Sequence, residues 1–176
     1  MPEGLLYQED FLSRHDEEGL LCEIRELPLE EAKYKSFTAK RRIAAYGASY
    51  DFDANRLGPA PGIPRFLLPL RTRVAKLAGE EDASFVYALV TEYRPGTELG
   101  WHRDLGEFGI VAGVSLGGRC RMRFRRYPPQ KGAKVFDLDL APRSVYVLRD
   151  EIRWRWQHSV ARTKELRYSI TLRTSR

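Results

Sequence analysis

Between residues 85 and 174 the chain offers one short β-type run after another, each ended by a turn signal. Phe85–Tyr93, Gly109–Leu116, Arg119–Arg125, Lys134–Leu140, Ser144–Leu148 and Leu166–Thr174 are the runs, with RPG, GG, YPPQKG and APR among the breaks. The first half reads differently. Ser13 caps an amphipathic helix to about Leu27, with Leu20, Leu21 and Ile24 at helical spacing and Pro28 at its end. A second short helix is expected over Leu29–Tyr34, then an extended Phe37–Phe52 broken at Gly47, then a Pro/Gly loop over Asn55–Pro64. Pro64 opens a helix from Arg65 to about Ala78 and Gly79 closes it. Helices followed by many short strands predict an α+β, mainly β fold around a sandwich or barrel. With 176 residues and neither a repeat nor a linker, one domain spans 1–176.

Other classes fall away. No apolar run approaches the roughly 20 residues of a membrane span, and the first residues carry acids where a signal peptide is basic. A cytoplasmic protein without membrane contact or obligatory protein partner is expected. Cys22 and Cys120 are isolated, so neither a disulfide framework nor a Cys-based zinc site is implied. The net charge of +6 is unevenly placed: residues 1–80 carry net −1 and residues 81–176 net +7. Arginine outnumbers lysine 23 to 7. Guanidinium favours planar contact with phosphate or carboxylate. Both a nucleic-acid partner and plain solubility fit the charge. Arg119, Arg121, Arg123 and Arg125 alternate with Cys120, Met122 and Phe124, giving one basic face that is either solvated or turned to phosphates, with Arg126 just beyond.

Three histidines are present. His15 lies on the polar side of the first helix and has no assigned role. His102-x-Asp104 follows a glycine-bearing loop, and in an extended segment its two side chains point to one side. His158 comes 56 residues later, before the last strand. Two histidines and a carboxylate are the facial set that holds non-haem Fe(II) and leaves positions open. In the final strand Arg167, Ser169, Thr171 and Arg173 share one face, and Tyr168, Ile170 and Leu172 the other. That pattern fits an edge strand with a wet face, or two inward arginines that bind a dicarboxylate.

The residues Tyr93-x-x-Gly96, Trp101-His102-x-Asp104, Gly113-Val114-Ser115-Leu116-Gly117, Arg153-x-x-Trp156-x-His158 and Arg167-x-Ser169-x-Thr171-x-Arg173 stand in that order over about residues 85–176. In them the chain resembles the AlkB-like Fe(II)/2-oxoglutarate-dependent dioxygenases. The resemblance implies a double-stranded β-helix (jelly roll) core over about 85–176. Residues 1–84 would be N-terminal helices packed outside and a nucleotide-recognition lid. It implies His102, Asp104 and His158 as iron ligands and catalytic residues, and Tyr93 and Arg167 on the distal carboxylate of 2-oxoglutarate. Arg173 would lie by the chelating carboxylate, near Asp104. Thr91 and Ser169 stand where the family often has Asn, and both can still hydrogen-bond the co-substrate. The implied chemistry uses Fe(II), 2-oxoglutarate and O2, gives succinate and CO2, and hydroxylates a C–H bond. On an N-alkylated base in DNA or RNA the product falls apart to aldehyde and repaired base, the base being single-stranded or flipped out. The alternative keeps fold and cofactors and modifies a protein side chain or small molecule.

A held base wants aromatic faces and polar groups on its edge. Lys40, Arg41, Arg42, Tyr46 and Tyr50 form a basic, aromatic cluster suited to a lid or to an ordinary hairpin. Glu107 is near enough in sequence to Asp104 to meet a base edge. Arg125 and Arg126 belong to the phosphate-facing reading, and Trp101 and Trp156 to the core or the site wall.

Overall fold

Alternation along the C-terminal strands produces two facing antiparallel sheets, with helices outside the larger one. The computed structural model describes residues 2–34, 37–51, 56–132 and 134–176, and their side chains except at 33, 34, 37–39 and 49–51. The strands are β1 (Leu5–Gln8), β2 (Glu30–Tyr34), β3 (Phe37–Tyr46), β4 (Ala48–Asp51), β5 (Arg56–Pro59), β6 (Phe85–Tyr93), β7 (Leu99–His102), β8 (Phe108–Gly117), β9 (Cys120–Arg126), β10 (Phe136–Leu140), β11 (Val145–Leu148), β12 (Trp156–Val160) and β13 (Arg167–Ser175). The helices are α1 (Arg14–Arg25), α2 (Leu68–Ala78) and α3 (Asp150–Arg155). The seven-stranded major sheet runs β1-β11-β8-β13-β6-β3-β2, and the four-stranded minor sheet runs β10-β9-β12-β7. β4 and β5 form a separate hairpin. Two opposed antiparallel sheets of this kind are the jelly-roll architecture.

The helices form where local chemistry favours them. Ser13 Oγ accepts from the Asp16 N–H, and the Asp16 carboxylate accepts from the Ser13 N–H, a closed capping box at α1. A 3-10 turn over Arg65–Leu67 runs into α2, and Gly79 ends it with φ of 71°. Leu20 and Ile24 of α1, with Leu70, Val74 and Ala78 of α2, join Val90, Val114, Ile170 and Leu172 in a core on the helix side of the major sheet. A second core lies between the sheets and includes Val111, Met122, Phe124, Leu140 and Leu148.

One expectation is corrected here, and one open alternative is decided. Residues 30–34 are strand, not helix: Glu30 and Glu31 pair with Ile43 and Arg42 at the sheet's edge. Sheet pairing overrides the helical propensity of Glu, Ala and Lys in this five-residue segment. The last long strand is not an edge. β13 lies between β6 and β8 and is buried on both faces. Among the described residues no helix is long and apolar enough to cross a membrane.

Candidate metal centre and co-substrate pocket

The minor sheet places both histidines. β7 and β12 are neighbours, and His102 and His158 are cross-strand partners with ring centroids 4.3 Å apart. Asp104 follows β7 and turns into the same space. The candidate ligand atoms of His102, Asp104 and His158 all lie within 4.8 Å of one another. No other cluster of this kind occurs among the described residues.

The surroundings prepare each group for a cation. His102 Nδ1 lies 2.9 Å from the Gly100 carbonyl oxygen, which only accepts, so Nδ1 carries a proton and Nε2 is the nitrogen that faces a metal. Burial, joined by the neighbouring His102, pushes the His158 imidazolium down to about 3, so this ring is neutral near pH 7. For Asp104, burial favours the acid form, but the positive charges beside it, Arg173 first, win and hold the carboxyl well below the usual range. Arg173 takes one oxygen, with Nε and Nη2 at 2.9 and 2.8 Å from Oδ1. Oδ2 is left toward His158, 3.4 Å from its Nε2. Two ring nitrogens and one fixed carboxylate oxygen make a facial donor set for a divalent ion.

The major sheet supplies the facing wall. On its inner side Arg173, Thr171, Ser169 and Arg167 of β13 lie between Val111, Gly113 and Ser115 of β8 and Leu89, Thr91 and Tyr93 of β6. Arg167 is only 2% exposed. Its Nε donates to Ser115 Oγ at 2.9 Å and its guanidinium lies over the Tyr93 ring at 4.9 Å. Its Nη1 is buried with no hydrogen-bond partner, and no carboxylate of a described residue pairs with it. A buried cation without an anion is costly. A dicarboxylate co-substrate fits here, because one of its carboxylates completes this arginine. Thr91 and Ser169 are cross-strand partners and buried beside it.

Some of these contributors were not expected. Arg153 of α3 is buried, and its guanidinium donates to the carbonyls of Gly109, Leu105 and Phe108 at 2.6–2.8 Å, tying down the loop that carries Asp104. Its only sequence signal was a place in the Arg-x-x-Trp-x-His pattern. Tyr146 of β11 packs across Gly113, where a Cβ would come within 2.3 Å of its ring. Burial keeps the Tyr146 hydroxyl protonated far above ordinary pH.

The expected substrate cluster comes apart on alternation. Tyr46 is 7% exposed and sits in the helix-side core, away from the inner face, which corrects its expected place in a lid. Arg42 is on that same side and is engaged: Nε and Nη2 donate to Glu92 at 2.8 and 2.7 Å. Arg41 alternates with Arg42, on the same face as Ile43, which pairs with Thr91 of the inner wall. The Tyr50 side chain lies outside the described residues. Glu107 is exposed on the β7–β8 loop, its carbonyl accepting from the Arg176 N–H. Arg125 and Arg126 also part company. Arg125 stacks on Trp101 at 4.4 Å on the outer face of the minor sheet, whereas Arg126 lies over Trp156 at 5.2 Å and pairs with Glu151 at 2.6 Å. Trp156 shares the inner side of β12 with His158, and its buried indole N–H has no partner.

Comparison with known proteins agrees with this geometry. The chain is 27% identical over 201 residues to an Arabidopsis thaliana protein named alkylated DNA repair protein ALKBH8 homolog, covering 98% of this chain and 56% of that one. It is 27% identical over 171 residues to the Xenopus tropicalis tRNA (carboxymethyluridine(34)-5-O)-methyltransferase alkbh8, covering 93% of this chain and 26% of that protein. It therefore spans about half or less of these two relatives. A solved structure of OsALKBH1 superposes with a TM-score of 0.79 at 16% identity, covering 99% of each chain, and shows the same fold. Residues 10–173 match the 2OG-Fe(II) oxygenase superfamily. The chain belongs to that superfamily, is AlkB-like within it, and is accordingly a dioxygenase that uses Fe(II) and 2-oxoglutarate.

Proposed function

We propose that the protein oxidatively dealkylates N-alkylated bases in DNA or RNA, with His102, Asp104 and His158 as the iron ligands. The observation that carries the oxygenase chemistry is the pairing of this triad with a buried arginine whose Nη1 lacks a partner. The nucleic-acid substrate is supported by the relatives whose names refer to alkylated DNA repair and tRNA, and by the basic excess of residues 81–176.

Iron with 2-oxoglutarate and O2 supplies the oxidising power that places a hydroxyl on the N-alkyl carbon, with succinate and CO2 as co-products. The chain does the rest by holding and excluding. Arg167 donates to the distal carboxylate, Ser115 fixes the plane of that guanidinium, and Tyr93 closes its face. Thr91 and Ser169 offer hydroxyls alongside. Arg173 keeps Asp104 ionised and oriented, so its free oxygen needs no rearrangement on binding the ion. Metal ligation requires neutral imidazoles, so the ligating triad contributes a single negative charge. With a divalent ion the site is net positive and favours a dianionic co-substrate. Packing between the sheets removes water, which strengthens each of these contacts. Arg41, on the inner-face side, and Trp156, whose buried indole N–H has no partner, are the groups we assign to the target base. The base reaches them from a single strand or after flipping.

A lesion panel tests the reading. Methylated single-stranded DNA, methylated RNA and a methylated peptide are each incubated with Fe(II) and 2-oxoglutarate, and product masses are followed. Loss of a methyl group from an oligonucleotide, with matching succinate, is expected. Change in the peptide alone would replace the dealkylase reading with a protein-directed one.

A further inference from the structure

The minor sheet has a second face, and its chemistry is unlike the first. Residues that alternate with the iron-ligand positions point outward. There Trp101 of β7 is covered by two guanidiniums of β9, Arg123 at 5.2 Å and Arg125 at 4.4 Å. Each arginine is anchored through Nε to a neutral acceptor of β12: Arg123 to Ser159 Oγ at 3.1 Å and Arg125 to Gln157 Oε1 at 2.9 Å. Arg103, just past β7, lies over the Tyr127 ring at 3.9 Å and donates to the Trp154 carbonyl. Among the described residues none of these three arginines has a carboxylate partner. The basic groups on either side do: Arg121 pairs with Asp139 and Arg126 with Glu151.

We propose that this outer face, centred on Arg103, Arg123, Arg125 and Trp101, docks the phosphodiester backbone of the strand that carries the target base. The inference rests on the nucleic-acid reading above and locates the strand. A solvated face needs no organisation, yet these guanidiniums lie over aromatic rings and are each held by a hydrogen bond, Arg123 and Arg125 at Nε and Arg103 at Nη1, so little rotamer freedom is left to lose. Arg123 and Arg125 are two residues apart on one strand, roughly 7 Å, a spacing suited to successive phosphates of an extended strand. Forked donors free of any protein carboxylate match phosphate oxygens. The position fits as well. β7 is the open edge of its sheet, and Trp101 and Arg103 flank His102 in sequence, so a backbone lying here passes the edge beside the iron site. The partner class is single-stranded nucleic acid.

The test uses a fluorescein-labelled, mixed-sequence single-stranded DNA and the RNA of the same sequence, with anisotropy read over a range of salt. Arg123→Gln/Arg125→Gln is expected to weaken binding about tenfold. It should also flatten the log–log salt slope by about 1.4, two contacts at roughly 0.7 each. Arg65→Gln/Lys76→Gln, which removes the same charge around α2 on the other side of the molecule, should stay within twofold. In the wild-type protein, phenylglyoxal labelling of Arg123 and Arg125, read by peptide mass spectrometry, should fall when the oligonucleotide is bound; this arm needs no variant to fold. Salt-sensitive wild-type binding with unchanged variants and undiminished labelling would overturn the docking face alone. No wild-type binding to either oligonucleotide would overturn the nucleic-acid reading and the docking face together.

Discussion

Strand β13 is buried on both sides, and its two faces are built to opposite rules. Tyr168, Ile170 and Leu172 pack under α1 and α2 in the helix-side core. Arg167, Ser169, Thr171 and Arg173 look into the space between the sheets. The first face gains stability from apolar burial. The second carries buried polar groups and leaves Arg167 Nη1 without a partner, a cost that a stability-optimised strand would not carry. The contrast teaches that one strand can hold the fold with alternate residues and pre-organise a ligand site with those between. Changes to the two faces should therefore separate activity from stability.

The sharpest separation is expected at the triad. His158→Ala should lower succinate release by more than about 100-fold, since even outer partners of metal ligands cost 10–100-fold. Its metal-free melting temperature should fall little. A matching loss of fold, seen by calorimetry, would break the comparison. On the helix side, Ile170→Ala should cost about 2–5 kcal/mol in denaturant unfolding and leave 2-oxoglutarate affinity unchanged in protein that stays folded. Arg167→Met should do the reverse. Co-substrate affinity should drop about 100-fold, roughly 2.7 kcal/mol, while apo stability holds or rises because a lone buried charge is gone. Titration calorimetry beside a melting curve checks both halves.

The smallest expected effect lies on the outer, helix-side face. The Arg42 hydrogen bonds outweigh burial and hold the Glu92 carboxyl below its ordinary value. A depressed folded-state pKa contributes stability above the unfolded value and loses it as pH falls through the folded one. Glu92→Gln should cost about 1–2 kcal/mol at pH 7, limited because Arg42 is partly in water. The gap to wild type should shrink below about pH 4. A constant gap from pH 7 to pH 3 would contradict this role.

The sequence made the same division partly visible. Perfect alternation in RYSITLR exposed both faces of β13, and the long strands β6, β8 and β13 were legible because each carries enough apolar residues to set its period. β7 and β12 were not. LGWH and WQHSV are short and hold the metal ligands where apolar residues would mark a strand. β1, with only four residues, escaped for want of length. The lysine and arginine cluster at 40–42 misled because adjacency in sequence was read as adjacency in space; in β3, neighbours face opposite ways, and Arg42 and Tyr46 went to the helix side. Ser115 and Arg153 were hidden for another reason. Each acts on a residue about 50 positions away, and only the folded chain brings those partners together, by sheet register for Ser115 and by the seating of α3 for Arg153.

The central claim is that His102, Asp104 and His158 hold one Fe(II) beside a 2-oxoglutarate pocket. Anaerobic titration of the wild-type protein with Fe(II), then 2-oxoglutarate, followed by visible absorbance, tests it most directly. The account predicts one Fe(II) per chain, a weak visible charge-transfer band on adding 2-oxoglutarate, and loss of both in Asp104→Ala. No band in the wild type, or an equal band in the variant, would contradict it.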